Sequence, residues 1–160
     1  MIRRSIGRVN ALRGQQFRVV EFSVQANHIH LIVEAEGRAA LSCGMRSLNA
    51  RIGKQVNRVL ARRGRLISDR HHEQVLRCPR AVRHALVYVI ANFRKHPTQE
   101  GRRGELTDPC SSALFFDGFA EVRGTERTLD SPVIEARTWL LRAGWRRHGL
   151  ISIYEAPRSA

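Results

Sequence analysis

Hydrophobic and polar residues alternate along two neighbouring stretches near the start of the chain, residues 17–24 and 28–34. A period of two residues puts successive side chains on opposite faces of a β-strand. Because a short connection, Ala26-Asn27, joins the two stretches, they are predicted to form an antiparallel hairpin. The first strand would carry Val20, Phe22 and Val24 on one face and Glu21, Ser23 and Gln25 on the other. The second would carry Ile29, Leu31 and Val33 on one face and His28, His30, Ile32 and Glu34 on the other.

Helical periodicity, with apolar residues at every third or fourth position, recurs in four further stretches. It predicts helices over residues 2–13, 41–63, 79–95 and 131–143. Gly14 and Gly64 end the first two, and Pro79 and Pro132 occupy the first turns of the others. Two short strand candidates, 65–68 and 73–77, complete the pattern. The fold class predicted is α+β, an antiparallel β-sheet with packed helices.

The length of 160 residues corresponds to one domain with an appendage. We expect a main domain over residues 1–97, a loop-rich connector over 98–130, and a C-terminal helix and tail over 131–160. No apolar run reaches membrane-spanning length, and no secretory segment is evident, so we expect a soluble, cytoplasmic protein without a membrane partner. The three cysteines are too widely spaced for a disulfide framework, and we expect reduced thiols, with Cys43 in or near the core.

The charge of the chain points to a partner, because the net charge is +14 and nearly all basic residues are arginine. Such an excess favours a nucleic-acid partner, although an arginine bias can also reflect coding composition. The basic residues of the 41–63 helix lie largely off its apolar stripe, where they either contact phosphates or are simply solvated. The candidate nucleic-acid contacts are Arg46, Arg58, Arg62, Arg63, Arg70, His72, His84, Arg94 and Lys95.

Two histidines at positions i and i+2 lie side by side on one strand face. His28 and His30 could therefore place two imidazole nitrogens on one divalent metal ion. The alternative is a pair of half-exposed polar residues.

Tyr88 lies on the wrong side of its predicted helix for a packing residue. The apolar stripe is centred near Leu86, Val89 and Phe93, whereas Tyr88 falls on the polar side, and Asn92 follows one turn later. The alternative is an ordinary surface tyrosine. A metal can polarise a phosphate, a tyrosine hydroxyl can attack phosphorus, and Asn92 could complete the metal shell. Together these residues predict phosphodiester transesterification through a covalent tyrosyl–DNA intermediate.

Three short segments resemble a known family. Residues 27–33, NHIHLIV, resemble the HUH motif of single-tyrosine HUH transposases, most closely the REP-associated tyrosine transposase branch. Residues 69–72, DRHH, are similar to that branch's DRYH segment, and residues 88–92, YVIAN, to its YIxxN helix. His71 replaces the usual tyrosine, and Phe93 replaces a usual proline.

The resemblance implies a ferredoxin-like HUH fold, with residues 1–97 as the catalytic domain. It implies that His28, His30 and Asn92 bind Mg²⁺ or Mn²⁺ and that Tyr88 is the nucleophile. The substrate would be single-stranded or hairpin DNA, cleaved and rejoined through a 5′-phosphotyrosine by a transposase or domesticated transposase.

The family also has a central strand before the first helix, and the sequence shows no pattern for it. We therefore expect the fold to lack that first strand and to leave the histidine strand with an open edge, which favours a homodimer. Two other functions compete with the transesterase. One is a catalytically inactive DNA-binding protein on the same scaffold; the other is a structural zinc protein using His28, His30 and either His71 or His72.

Overall fold

A computed structural model describes residues 1–67, 71–95, 106–121 and 131–157 of the chain. In these ranges the fold is α+β, as predicted. The four helices are α1 (Ile2–Arg13), α2 (Arg38–Val59), α3 (Pro79–Ile90) and α4 (Trp139–Arg142), and the two strands are β1 (Phe17–Val24) and β2 (Ile29–Ala35). Short 3₁₀ helices cover Asn92–Lys95, Ala113–Phe115 and Gly144–His148. None of the helices described is both long and apolar enough to span a bilayer.

The predicted hairpin is confirmed, because β1 and β2 pair antiparallel with Phe22 opposite Leu31 and Ser23 opposite His30. A register irregularity between Val19 and Glu21 interrupts the alternation. Val20 consequently lines the same cleft as Glu21, so its predicted place on the face of Phe22 is wrong.

Two helical layers cover opposite faces of the hairpin. Leu48 and Ile52 of α2 share a hydrophobic cluster with Ile6 and Val9 of α1, and Ile29, Leu31 and Val33 of β2 pack against it. Ile32, which alternates with them, instead joins Leu86, Val89 and Ile90 of α3. Since neighbouring residues of a strand face opposite ways, α1 and α2 lie on one side of the hairpin and α3 on the other.

The outer edge of β1 is completed by polar groups from elsewhere in the chain. Asn10 of α1 donates from Nδ2 to the Val19 carbonyl and accepts the Val19 N–H at Oδ1. The N–H of Ser112 donates to the Phe22 carbonyl, and the N–H of Val24 donates to the carbonyl of Cys110. By contrast, β1 is the only strand beside β2 among the described residues. The predicted homodimer through the β2 edge remains a prediction.

Several predicted elements are wrong. Residues 65–67 and 73–77 form no strand, and Val75 is 67% exposed, so the second stretch has no buried face that could join a sheet. The long helix α2 ends at Val59 rather than near residue 63, and Ala61 has a positive φ of 48° that breaks the helical path. Cys43 is exposed rather than near the core.

The predicted 131–143 helix is reduced to α4 by tertiary contacts. The Pro132 carbonyl accepts a hydrogen bond from Asn10, Val133 is buried in the α1–α2 cluster, and the Ile134 N–H donates to Val19. These contacts hold residues 132–134 along the edge of β1, which a helix could not follow. The described parts of 98–130 and 131–160 thus pack on the main domain, and the predicted division into three segments remains untested.

The ferredoxin-like HUH architecture is not confirmed. Within the described ranges the sheet has two strands, whereas that fold needs a larger sheet. What the structure establishes is the coarser arrangement, a two-stranded antiparallel sheet between two layers of helices.

Candidate metal and tyrosine site

His28, His30 and Tyr88 form one continuous chain of contacts. The Nε2 atoms of His28 and His30 are 2.8 Å apart, and their ring centroids are 4.5 Å apart. The Tyr88 ring meets His30 edge-on, with centroids 4.9 Å apart and planes at 78°. The hairpin register and the last turns of α3 thus bring together residues that are almost 60 positions apart in sequence.

Asn27 orients the first histidine. Its Oδ1 is 2.6 Å from Nδ1 of His28, so Nδ1 carries the proton and donates to the amide oxygen. With that proton on Nδ1, Nε2 is the ring nitrogen of His28 that can ligate a metal ion, and it lies 2.8 Å from Nε2 of His30. Sequence reasoning gave Asn27 no role beyond its place in the motif, although a histidine's ring orientation is commonly fixed by such a second hydrogen bond.

Replacing Asn27 with leucine should weaken metal binding without removing any ligand. We expect Mn²⁺ affinity to fall about 10-fold or more, as for other groups that orient a ligating histidine. Isothermal titration with Mn²⁺ measures this, and Asn49→Leu on α2 is the matched control. An unchanged affinity in Asn27→Leu would contradict the orienting role.

Asn92 does not lie where the helical wheel placed it. The α-helix ends at Ile90, and Asn92 begins the following 3₁₀ turn with 1% of its surface exposed, rather than continuing the polar side of the helix. Neither Oδ1 nor Nδ2 has a hydrogen-bond partner among the described residues. Leaving such a group buried and unsatisfied costs about 1–3 kcal/mol, so a buried amide four residues after Tyr88 favours a partner from outside the described chain.

The arrangement of donors fits a divalent metal ion. Ligands about 2.1 Å from an octahedral ion lie about 3 Å apart when they occupy neighbouring positions. The 2.8 Å separation of the two Nε2 atoms matches that spacing. His28 and His30 would supply two ligands, and the Asn92 oxygen is the third ligand that the resemblance implies.

The alternative zinc site is not formed. No group of three or more His, Cys, Asp or Glu side chains able to hold a metal occurs in residues 1–67, 71–95, 106–121 and 131–157. His71 and His72 are both exposed, and His71 lies 3.7 Å from the carboxylate of Glu73. They therefore do not join His28 and His30 as zinc ligands.

The exposed side of α3 leads directly to Tyr88, which is 37% exposed. Arg80, His84 and Tyr88 are spaced by four residues and are all exposed, so they follow one another along a single face. His84 was predicted to contact nucleic acid. Arg80 was missed, and the signal for it was its four-residue spacing from His84.

The other predicted nucleic-acid contacts are dispersed. Arg46 and Arg58 are exposed on α2, on the opposite side of the hairpin from Tyr88, and Arg62 and Arg63 are exposed just beyond it. Neither α1 nor α2 contains an acidic residue, so this α1–α2 layer is uniformly cationic.

The remaining predicted contacts have separate environments. His72 is exposed. Arg94 lies over the Phe93 ring and donates to the Leu106 carbonyl, which ties it into the fold. Arg70 and the side chain of Lys95 lie outside the described residues.

The resemblance to HUH transposases rests on three short segments. The structure brings residues of the first and third into contact, whereas Asp69 and Arg70 of the second lie outside the described residues and His71 and His72 are exposed. Comparison with known proteins adds no support, because no family model, no curated protein and no solved structure matches this chain.

Proposed function

We propose that this protein is a metal-dependent transesterase that cleaves and rejoins single-stranded DNA through Tyr88, as a transposase or domesticated transposase of the single-tyrosine HUH type with a ferredoxin-like fold. One observation carries the proposal. The half-exposed Tyr88 ring contacts His30, whose Nε2 converges with that of His28. The proposed nucleophile and the two nitrogens that would ligate the metal therefore belong to one chain of contacts.

In the proposed reaction, the Tyr88 oxygen forms a bond to phosphorus and the bond from phosphorus to the 3′ oxygen breaks. The tyrosine loses its proton to solvent, and the departing 3′ oxygen takes one up. One phosphodiester is exchanged for another, so the same step in reverse rejoins the strand. Bound Mg²⁺ or Mn²⁺ would stabilise the charge on the phosphate oxygens.

The other residues of the site position the strand. Arg80 and His84 on the exposed face of α3 would contact the backbone phosphates on the approach to Tyr88. Asn92 would support the metal through its amide oxygen, which accounts for its burial without another partner in the described chain.

The second candidate function is a DNA-binding protein without catalysis. It is favoured by the position of the cationic α1–α2 layer, which lies away from Tyr88 and could bind a backbone without any chemistry. The two functions differ in whether Tyr88 is ever bonded to DNA.

A covalent-trapping assay separates them. Single-stranded and hairpin DNA labelled at the 3′ end is incubated with the protein and Mn²⁺, then denatured. We expect a labelled protein–DNA adduct, because the tyrosine retains the 5′ phosphate of the 3′ fragment. DNA labelled at the 5′ end should instead yield a free fragment with a 3′ hydroxyl that a polymerase can extend.

The chain provides a matched control, because its only other tyrosine, Tyr154, is exposed in the C-terminal segment. Tyr88→Phe should abolish the adduct, and Tyr154→Phe should leave it intact. A chelator and His28→Ala should each suppress it. DNA binding with no adduct in any of these conditions would instead establish the binding protein.

A further inference from the structure

We propose that Trp139, with Arg147 stacked on it, forms a platform for an unpaired base of the single strand that reaches Tyr88. This inference rests on the proposed function only in its choice of strand; binding at the platform needs neither metal nor covalent chemistry. Neither residue was assigned a function from the sequence.

The two tryptophans of the chain have opposite environments. Trp145 is 2% exposed within the core cluster, whereas Trp139 is 51% exposed. A large indole gains free energy by leaving water, so one that is held at the surface offers contact area to a partner.

The Trp139 ring is fixed in place. A Cβ at Gly144 would lie 2.7, 2.9 and 3.0 Å from Cζ3, Cε3 and Cη2, so the indole rests closely against a glycine that must lack a side chain. The Arg147 guanidinium lies 4.8 Å from the centre of the ring. A rigid aromatic surface loses little conformational entropy when it binds, which suits it to stacking.

Glu34 fixes the platform relative to the histidine strand. Its carboxylate accepts hydrogen bonds from the N–H of Arg137 at 2.7 Å and from the N–H and hydroxyl of Thr138 at 2.8 and 2.6 Å. Thr138 directly precedes Trp139. Because Glu34 and His30 are four residues apart in β2, their Cα atoms are about 13 Å apart along the strand.

The platform also belongs to the α3 side of the hairpin. Leu140 and Leu141, which follow Trp139, pack against the cluster that contains Leu86 and Ile90 of α3. Trp139 and Tyr88 are therefore carried by the same layer, so one strand of DNA a few nucleotides long could contact both.

The charges around Trp139 favour a nucleic-acid strand as the partner that binds there. Arg142, Arg147 and His148 are exposed in the segment that follows Trp139, no acidic residue occurs between Glu135 and Glu155, and the nearby Glu34 carboxylate is already hydrogen-bonded by Arg137 and Thr138. Arg146 differs, because it pairs with Asp117 at 2.9 Å. A second copy of a chain with charge +14 would be repelled, whereas a nucleic-acid strand offers phosphates to the arginines and bases to the indole.

The test compares two oligonucleotides of equal length and charge, oligothymidylate and a fully abasic strand, with chelator present so that only binding is measured. Trp139→Ala should bind oligothymidylate about 10-fold more weakly than wild type, and the abasic strand equally well. Trp139→Phe should retain most of the wild-type preference for oligothymidylate over the abasic strand. Tyr154→Ala, another exposed aromatic residue, should change neither affinity.

Intrinsic fluorescence gives a readout that does not depend on a truncating substitution. Oligothymidylate should quench the wild-type emission, the abasic strand should not, and Trp139→Phe should lose the quenching while retaining binding. Equal weakening for both strands in Trp139→Ala, or unquenched wild-type emission, would overturn the platform. Absence of the tyrosine adduct with intact quenching would overturn only the transesterase.

Discussion

Gly44→Ala should destabilise the fold by about 3 kcal/mol, as expected when a well-packed core is overfilled. A Cβ at Gly44 would overlap Cγ, Cδ1 and Cδ2 of the Phe17 ring. Phe17 is 1% exposed at the start of β1 and cannot move away without disturbing the α1–α2 cluster. The close approach of the strand thus requires glycine in the middle of this helix, where it costs about 1 kcal/mol relative to alanine.

The same helix supplies the control. At Gly53 the nearest atom to an added Cβ is Cβ of Leu66 at 3.9 Å, an ordinary contact. Gly53→Ala should therefore stabilise the protein by up to about 1 kcal/mol. Urea unfolding followed by far-ultraviolet circular dichroism measures the free energy of unfolding of both variants. A change of the same sign in both would contradict the close approach of Phe17 to Gly44.

Asn10→Ala should have a comparable or larger effect, a loss of about 3–5 kcal/mol, because it removes three hydrogen bonds and leaves buried backbone groups unpaired. The 5%-exposed side chain bonds the N–H and carbonyl of Val19 and the carbonyl of Pro132. It thereby joins α1, the edge of β1 and the C-terminal segment.

Asn57 is the comparison for this prediction. It also lies on a helix, is only partly buried, and donates to one backbone carbonyl, that of Gly64 at 2.7 Å, while its Oδ1 accepts no hydrogen bond from the described residues. Asn57→Ala should cost about 1 kcal/mol or less. Chemical unfolding of Asn10→Ala and Asn57→Ala compares their losses of stability. Similar losses in the two variants would show that Asn10 does not hold the β1 edge.

Local periodicity correctly predicted the elements whose neighbours lie close in sequence. The helix over residues 2–13, the hairpin and the start of α3 at Pro79 all follow from apolar spacing and turn residues. It failed for residues 131–138, whose conformation depends on Asn10 and Val19, more than 100 positions earlier. A window of sequence contains no information about such partners.

The candidate site likewise combines features that local periodicity predicts with features that depend on tertiary structure. The shared face of His28 and His30 follows from strand period, and the outward position of Tyr88 follows from helical period. The burial of Asn92 was not predictable, because it depends on where α3 ends. The exposure of Trp139 likewise depends on Glu34 holding Thr138, and the orienting role of Asn27 depends on the turn that brings its amide to the His28 ring.

The acid-free α1–α2 layer also governs how the molecule would meet a polyanion. Attraction over distances beyond about 10 Å survives only in dilute salt, and it would turn toward DNA either the α1–α2 layer or the basic α3 side with Arg80 and Arg147. Capture through the α1–α2 layer turns Tyr88 away from the strand. Productive engagement would then require release and reorientation, or a strand long enough to pass around the hairpin edge, so stronger capture would not by itself mean faster cleavage.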